Sequence, residues 1–188
     1  MKAHLTIKTI LAWTILLLSW SPQVVVSQVV ETNKGEVEFT SHVPLHTFSG
    51  VSKELVGKID FGTGTVDFYV DLSSLKTGIG KRDKDMRTTL EVDQYPFAEF
   101  FGSFTKPMNL DLTSDLAVEV KGDFSIHGVS KEVTITGTLK KKGLSWQLDA
   151  SWSLLLSDYN IEPPKLLIMK VDEKQDIRIS SLLSPESK

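Results

Sequence analysis

The stretch LAVEVKGDFSIHGVSKEVTITGTL, residues 116–139, decides the fold. Apolar Leu116, Val118, Val120, Phe124 and Ile126 alternate with Glu119, Lys121, Asp123 and Ser125, which is the two-residue period of a strand that buries one face. His127-Gly128 then supplies two residues that tolerate positive φ, as a tight hairpin turn requires. The alternation resumes through Val133, Ile135, Gly137 and Leu139, so the whole stretch reads as an antiparallel hairpin with one apolar face.

The same period recurs on both sides of this hairpin. Val66, Phe68, Val70 and Leu72 form one run; Trp146, Leu148, Ala150, Trp152, Leu154 and Leu156 form another; Ile177, Ile179 and Ser181 followed by Leu183 form a third. Val37 with Phe39, and the segment from Phe48 to Phe61, add at least two more. Gly62-Thr63-Gly64 and Lys140-Lys141-Lys142-Gly143 read as further hairpin tips, and Asn109 to Asp115 as a polar gap. One segment departs from the pattern. From Asp83 to Leu90 there is no β-branched residue before Thr88, Met86 and Leu90 are four apart, and Asp83–Arg87 share that spacing, so a short helix N-capped by Asp83 is expected inside a long crossover. About eight antiparallel strands in an all-β domain are satisfied by a two-sheet sandwich or by a closed barrel, and alternation does not choose between them. A filled core is the ordinary outcome for either.

Composition narrows the chemistry. The chain has 188 residues, 40% hydrophobic and 24% charged, and no cysteine, which excludes disulfide scaffolds, thiolate metal sites, cysteine nucleophiles and a cysteine-anchored lipoprotein. Lys2 and Lys8 precede an apolar run, Ile10 to Leu18, and Val25-Val26-Ser27 offers small residues for cleavage, so residues 1–27 read as a secretory signal peptide removed before Gln28. The run is shorter than the ~20 residues a spanning helix needs, so no transmembrane span is expected after cleavage. The expected product is one domain, residues 28–188, in the periplasm or secreted. Loss of two lysines and no acid makes the formal net charge −5 instead of −3, and with that balance no nucleic-acid partner is expected.

Candidate reactive groups are sparse. His42 and His46 flank Pro44, and on a strand their spacing would separate them by about 13 Å, which argues against a shared metal. No Gly-x-Ser-x-Gly occurs, and Gly62-x-Gly64 and Gly78-x-Gly80 lack the third glycine of a dinucleotide loop. Lys140 to Lys142 are fewer than the clusters that bind lipid surfaces and read as a solvated tip. No catalytic residue, metal or cofactor is assigned.

Three blocks in order carry a family resemblance: Leu72-Ser73-Ser74-Leu75-Lys76-Thr77-Gly78 after Val66-Asp67, then Arg82-Asp83-Lys84-Asp85-Met86-Arg87, then Tyr95-Pro96-Phe97-Ala98-Glu99-Phe100. A fourth, Gly122 to Val133, is similar to a hairpin of the same family. Together they resemble the YceI-like, polyisoprenoid-binding family over about residues 31–183. The late Asp-Phe-Gly-Ile element of that family stands here as Asp158-Tyr159-Asn160-Ile161, in which Asn can take the left-handed turn. Glu91-Val92-Asp93 replaces an aromatic-rich step.

The resemblance implies a single antiparallel lipocalin-like β-barrel with one short helix in a crossover. It also implies a non-enzymatic protein whose apolar interior holds a long isoprenoid, polyisoprenoid or quinone-like, for carriage, storage or an envelope stress response. Phe39, Phe68, Val70, Leu72, Phe124, Ile126, Val133, Ile135, Trp146, Leu148, Trp152, Ile177 and Ile179 are then inward candidates, with some of them plain core at a closed end. Met86 and Leu90 would lie on the inner side of a helix that caps one mouth. Arg82, Asp83 and Arg87 would either meet a headgroup or brace that helix by an ion pair. The alternatives are a lipid-modifying enzyme using His127 with a carboxylate, and a ligand-free structural or stress module with a filled barrel. An incompletely closed barrel would leave edge strands through which a homodimer forms.

Overall fold

In the computed structural model, which describes residues 29–43, 46–108, 110, 115–163, 165–166 and 169–186, the apolar faces of eight strands are turned inward by closing the sheet into a ring. The chain runs β1 (Val29–Val43), β2 (His46–Asp60), β3 (Thr65–Asp71), α1 (Gly80–Thr89), β4 (Phe97–Phe104), β5 (Leu116–Ile126), β6 (Val129–Lys142), β7 (Ser145–Leu155), β8 (Lys165–Leu166), β9 (Met169–Lys170) and β10 (Lys174–Pro185). Around the barrel the order is β1-β10-β7-β6-β5-β4-β3-β2, every neighbour is antiparallel, and β2 pairs back onto β1. β8 and β9 form a separate two-stranded ribbon. Each barrel strand has a partner on both sides among the described residues, so the ring offers no free edge of the kind an incompletely closed barrel would leave. The expected signal peptide, residues 1–27, lies outside the described residues, as does Pro44. No helix among the described residues is long and apolar enough to cross a membrane.

β1 and β2 are the longest strands, 15 residues each. At about 3.3 Å per residue a 15-residue strand would run about 50 Å, too far to follow a small barrel without bending. Register shifts between Thr32 and Gly35 and between Gly35 and Val37 supply the bends. Each also changes which residues face inward. In β2 the buried set passes from Gly50 and Ser52 to Leu55, Gly57 and Ile59, and in β1 from Val30 to Gly35, Val37 and Ser41. Ser52, buried at the bend, shares a hydrogen bond of 2.6 Å with the Ser74 hydroxyl and accepts one of 3.1 Å from the Glu54 amide.

The turns fall where expected. His127 (φ 55°) and Gly128 (φ 71°) form the tight turn between β5 and β6. Asn160 takes the left-handed conformation, φ 56° and ψ 27°, at the end of a 3-10 turn over Leu156–Tyr159. Leu72, expected as the last residue of a strand, begins another 3-10 turn, Leu72–Ser74, and remains buried.

The helix starts earlier than Asp83. Ile79 is its N-cap and makes no side-chain cap bond, while Asp83 lies in the first turn. The Asp83 carboxylate instead reaches back to the preceding loop, accepting bonds from the Thr77 hydroxyl (2.6 Å) and the Thr77 amide (2.8 Å). It thereby fixes the entry of the crossover one turn before the helix. The expected Asp83–Arg87 pair does not form, and the helix's ion pair four residues apart is Lys81–Asp85 at 2.7 Å. The Thr77 hydroxyl and amide hold the Asp83 carboxyl below its ordinary range, outweighing the opposing effect of burial. A group whose pKa is depressed on folding contributes stability above its unfolded value near 4, and that contribution is lost as the pH falls through the folded value. Asp83→Asn is therefore expected to cost about 2 kcal/mol at pH 6. Urea titrations of both proteins from pH 6 to pH 2 should show this difference shrinking below about pH 4.

Candidate functional site

Antiparallel order sends the connections alternately to the two ends of the barrel. One end carries the turn at residues 61–64, the β4–β5 connection, the β6–β7 turn and the start of β1. There aromatic rings close the interior: Phe61 stacks with Phe104 at 6.4 Å between centroids and meets Trp146 at 5.4 Å, beside fully buried Leu139 and Leu183. Lys140 pairs with Asp115 at 3.0 Å, while Lys141 lies 5.5 Å over the Trp146 ring and donates to the Leu110 carbonyl at 3.3 Å. The lysine tip thus braces the closed end.

The opposite end carries the crossover from Leu72 to Pro96 with α1, the β5–β6 turn and the connection from Leu156 to Glu173. Between the ends lies an elongated cavity of about 220 Å³. A single enclosed water needs only ~10–15 Å³, so this is not a packing defect. The hollow interior that the family resemblance implied is therefore present, where a filled core is the ordinary outcome for such a domain. The reason lies in side-chain size: Val118, Val120, Gly137 and Ala150 line the middle of the wall and Ala98 lines it near the crossover, in an eight-stranded barrel that is just wide enough for larger side chains to fill.

Of the residues picked out from sequence, Phe39, Phe68, Val70, Leu72, Phe124, Ile126, Ile135, Leu148, Trp152, Ile177 and Ile179 all line this cavity, with Met86 and Leu90 of the crossover at its upper part. Trp146 and Val133 do not. Trp146 belongs to the ring cluster of the closed end, and Val133 is half-buried beside the core. Sequence reading passed over Phe48, Leu55, Ile59, Leu75 and Phe100, which also line the wall. Two glycines in β2 carried a usable signal. Phe39 lies opposite Gly50 and Phe68 opposite Gly57, and each ring covers its glycine so closely that an added Cβ would stand 2.1 Å and 1.9 Å from ring carbons.

Polar groups gather towards the mouth. Arg82, Asp85, Thr77 and Thr89 line it from the crossover. Arg82 sits with its guanidinium carbon 4.4 Å from the centre of the Phe48 ring. Buried Gln175 donates to the Ser41 hydroxyl at 3.1 Å and to the Asp172 carbonyl at 2.7 Å. The Trp152 indole nitrogen is buried without a hydrogen-bond partner among the described residues. Tyr159 packs edge-on against Phe124 at 5.6 Å, and burial, with Asp158 beside it, pushes its phenol up.

His42 and His127 stand outside the cavity wall. His127 Nδ1 is 3.1 Å from the Tyr159 carbonyl oxygen, its Nε2 is 3.6 Å from Glu91, and Tyr95 packs against its ring at 5.3 Å. It ties the β5–β6 turn to the crossover and to the residues after β7. His42 lies between the Thr47 hydroxyl (3.2 Å) and Asp176 (3.1 Å) on the surface. No group of three or more metal-ligating side chains occurs among the described residues.

The sequence profile of the YceI-like domain matches residues 28–181. The chain belongs to the YceI-like family. A UPF0312 protein of Pseudomonas fluorescens is 26% identical over 132 residues, 64% of this chain and 67% of that one. One of Pseudomonas putida is 29% identical over 137 residues, 66% of this chain and 69% of its own length. Among solved structures, a polyisoprenoid binding domain from Saccharophagus degradans, implicated in plant cell wall breakdown, superposes with a TM-score of 0.71 at 17% identity, covering 85% of this chain and 99% of that domain. BcnA of Burkholderia cenocepacia gives 0.65 at 18% identity, over 80% and 96%. At such identities the likeness establishes the barrel fold of this YceI-like chain.

The glycine contacts can be tested directly. Gly57→Ala should destabilise the barrel by about 1–3 kcal/mol, because Phe68 must leave its place on the wall. Gly80→Ala, where an added Cβ meets nothing within 4 Å, should be neutral or slightly stabilising in chemical denaturation.

Proposed function

We propose that this YceI-like protein is an exported, non-enzymatic carrier that holds an isoprenoid, polyisoprenoid or quinone-like, in the barrel cavity. One observation carries the reading: an elongated cavity with an almost wholly apolar wall, blocked at one end by aromatic rings and polar only at the other. Each methylene transferred from water to such a wall is worth about 0.8 kcal/mol, so a long hydrocarbon chain binds without catalytic groups. The polyisoprenoid binding domain from Saccharophagus degradans, similar in fold, supports the same class of ligand. His127, the candidate for acid–base chemistry, takes part in joining three connections at the barrel end and lies outside the wall. Export rests on the charged and apolar pattern of residues 1–27.

Filling the cavity tests the reading. Ala150→Trp and Val120→Phe place added bulk on the middle of the wall. Binding of geranylgeraniol, followed by tryptophan fluorescence and by native mass spectrometry, should weaken at least about ten-fold in folded variants, the equivalent of about two buried methylenes. Undiminished binding, or no binding by the unaltered protein, would overturn the carrier function.

A further inference from the structure

We propose that His127 is a proton-operated clasp at one end of the barrel, closed when its ring is protonated and loosened when the ring is neutral, so that ligand exchange is slow in acid and quickens as the pH rises. This rests on the carrier reading above and goes further by assigning what controls access to the cavity.

Three residues other than glycine take positive φ among the described residues: Glu91 (48°), His127 (55°) and Asn160 (56°). They belong to three different connections, yet they meet at one point. His127 Nδ1 is 3.1 Å from the carbonyl oxygen of Tyr159, the neighbour of Asn160, and its Nε2 is 3.6 Å from Glu91. Left-handed backbone costs such residues energy and persists only where surrounding contacts impose it, so weakening those contacts favours rearrangement.

Hydrogen-bond chemistry at the ring sets the proton count. A carbonyl oxygen only accepts, so Nδ1 must carry a hydrogen to bond Tyr159. In a neutral ring Nε2 is then a bare acceptor. It is buried, lacks a hydrogen-bond partner among the described residues, and faces a carboxylate that also only accepts. A second proton on the ring turns this opposition into a charge-assisted contact. The closed arrangement therefore binds a proton more tightly than an open one, and falling pH favours closure. The other groups around the ring leave this balance to His127 and Glu91. Tyr95, from the crossover, packs against the ring at 5.3 Å. In the connection after β7, burial and Asp158 push the Tyr159 phenol up, which keeps it uncharged, and Asp158 is itself taken by Lys131 of β6 at 2.7 Å.

The clasp reaches the cavity through adjoining residues. Leu90 precedes Glu91, Ile126 precedes His127, and Leu156 and Ile161 flank Tyr159 and Asn160; all four line the wall. A shift of these connections therefore moves the wall itself.

Geranylgeraniol carries no charge, so a pH effect on its exchange belongs to the protein. Its dissociation into excess phosphatidylcholine vesicles, followed by tryptophan fluorescence, should be at least about five-fold faster near pH 8.5 than near pH 5.5. The two halves of the clasp should fail in opposite directions. His127→Gln, which cannot take up a proton, should release quickly at both pH values. Glu91→Gln should release slowly at both, because its amide can donate to a bare Nε2. His42→Gln, altered on the surface between Thr47 and Asp176, should keep the pH dependence. A rate independent of pH in the unaltered protein, or a pH dependence that survives in His127→Gln, would overturn the proposal and leave the carrier reading in place. Backbone hydrogen exchange of the ligand-free protein, corrected for its intrinsic pH dependence, is the second measurement. Amides of residues 91–95 and 157–161 should lose protection at the higher pH relative to those of β5 and β6. If geranylgeraniol does not bind at all, the carrier reading falls, and this exchange still decides the clasp: equal relative protection at the two pH values would overturn it, and the expected loss would support it.

Discussion

Closure of the ring is the constraint on which the rest depends. Because β1 is bonded to β10 on one side and to β2 on the other, every barrel strand has a hydrogen-bonded neighbour on both sides, and strand ends alone face outward with unpaired groups. A sheet that has closed cannot collapse further around its contents. Its interior is set by strand number and tilt, and whether it is solid or hollow then depends only on the side chains pointing inward. Here Phe61, Phe104 and Trp146 occupy one end, while Val120, Gly137 and Ala150 stand in the middle. The cavity is the difference between a fixed circumference and an inward set too small to fill it.

Closure also separates the two ends. In an antiparallel ring the connections alternate, which places the helical crossover, the β5–β6 turn and the connection after β7 together at one end. Those three meet at His127, through its contact with the Tyr159 carbonyl and the packing of Tyr95 on its ring, and the crossover is anchored at its start by Asp83 on Thr77. The polar residues of the wall come from this end. The helix is not an amphipathic element packed by an apolar stripe; its core contribution is Met86 and Leu90, and its remaining residues present charge to the rim. The barrel is thus polarised along its length, with apolar side chains inside and polar and charged ones gathered at one mouth.

Legibility in the sequence followed the regularity of the strands. β5, β6, β7 and β10 keep one phase of alternation, and their wall residues, Phe124, Ile126, Ile135, Leu148, Trp152, Ile177 and Ile179, could be picked out individually. β1 and β2 were harder because a bulge inserts a residue and reverses the phase. Leu55 and Ile59 face inward on odd numbers while Gly50 and Ser52 face inward on even ones, so no single period covers the strand. Asp83 was misplaced as a cap for a related reason. Its carboxylate serves a residue six positions earlier, and the loop that brings Thr77 within reach is a product of the crossover's path.

By itself, the sequence determined the all-β class, an approximate strand count, the tight turns and the short helix, because each depends on periodicity or on conformational preferences within a few residues, and four motif blocks carried the resemblance to the family. It also set the absence of thiol chemistry, through the lack of any cysteine. Alternation left sandwich and barrel open and the family resemblance implied a hollow barrel; only the tertiary structure decided that Trp146 plugs one end instead of lining the cavity, and that Arg82 rests on Phe48 at the other. These depend on distances between residues far apart in the chain. Alternation shows which side of a strand is apolar, but the volume those sides enclose is a property of the closed ring.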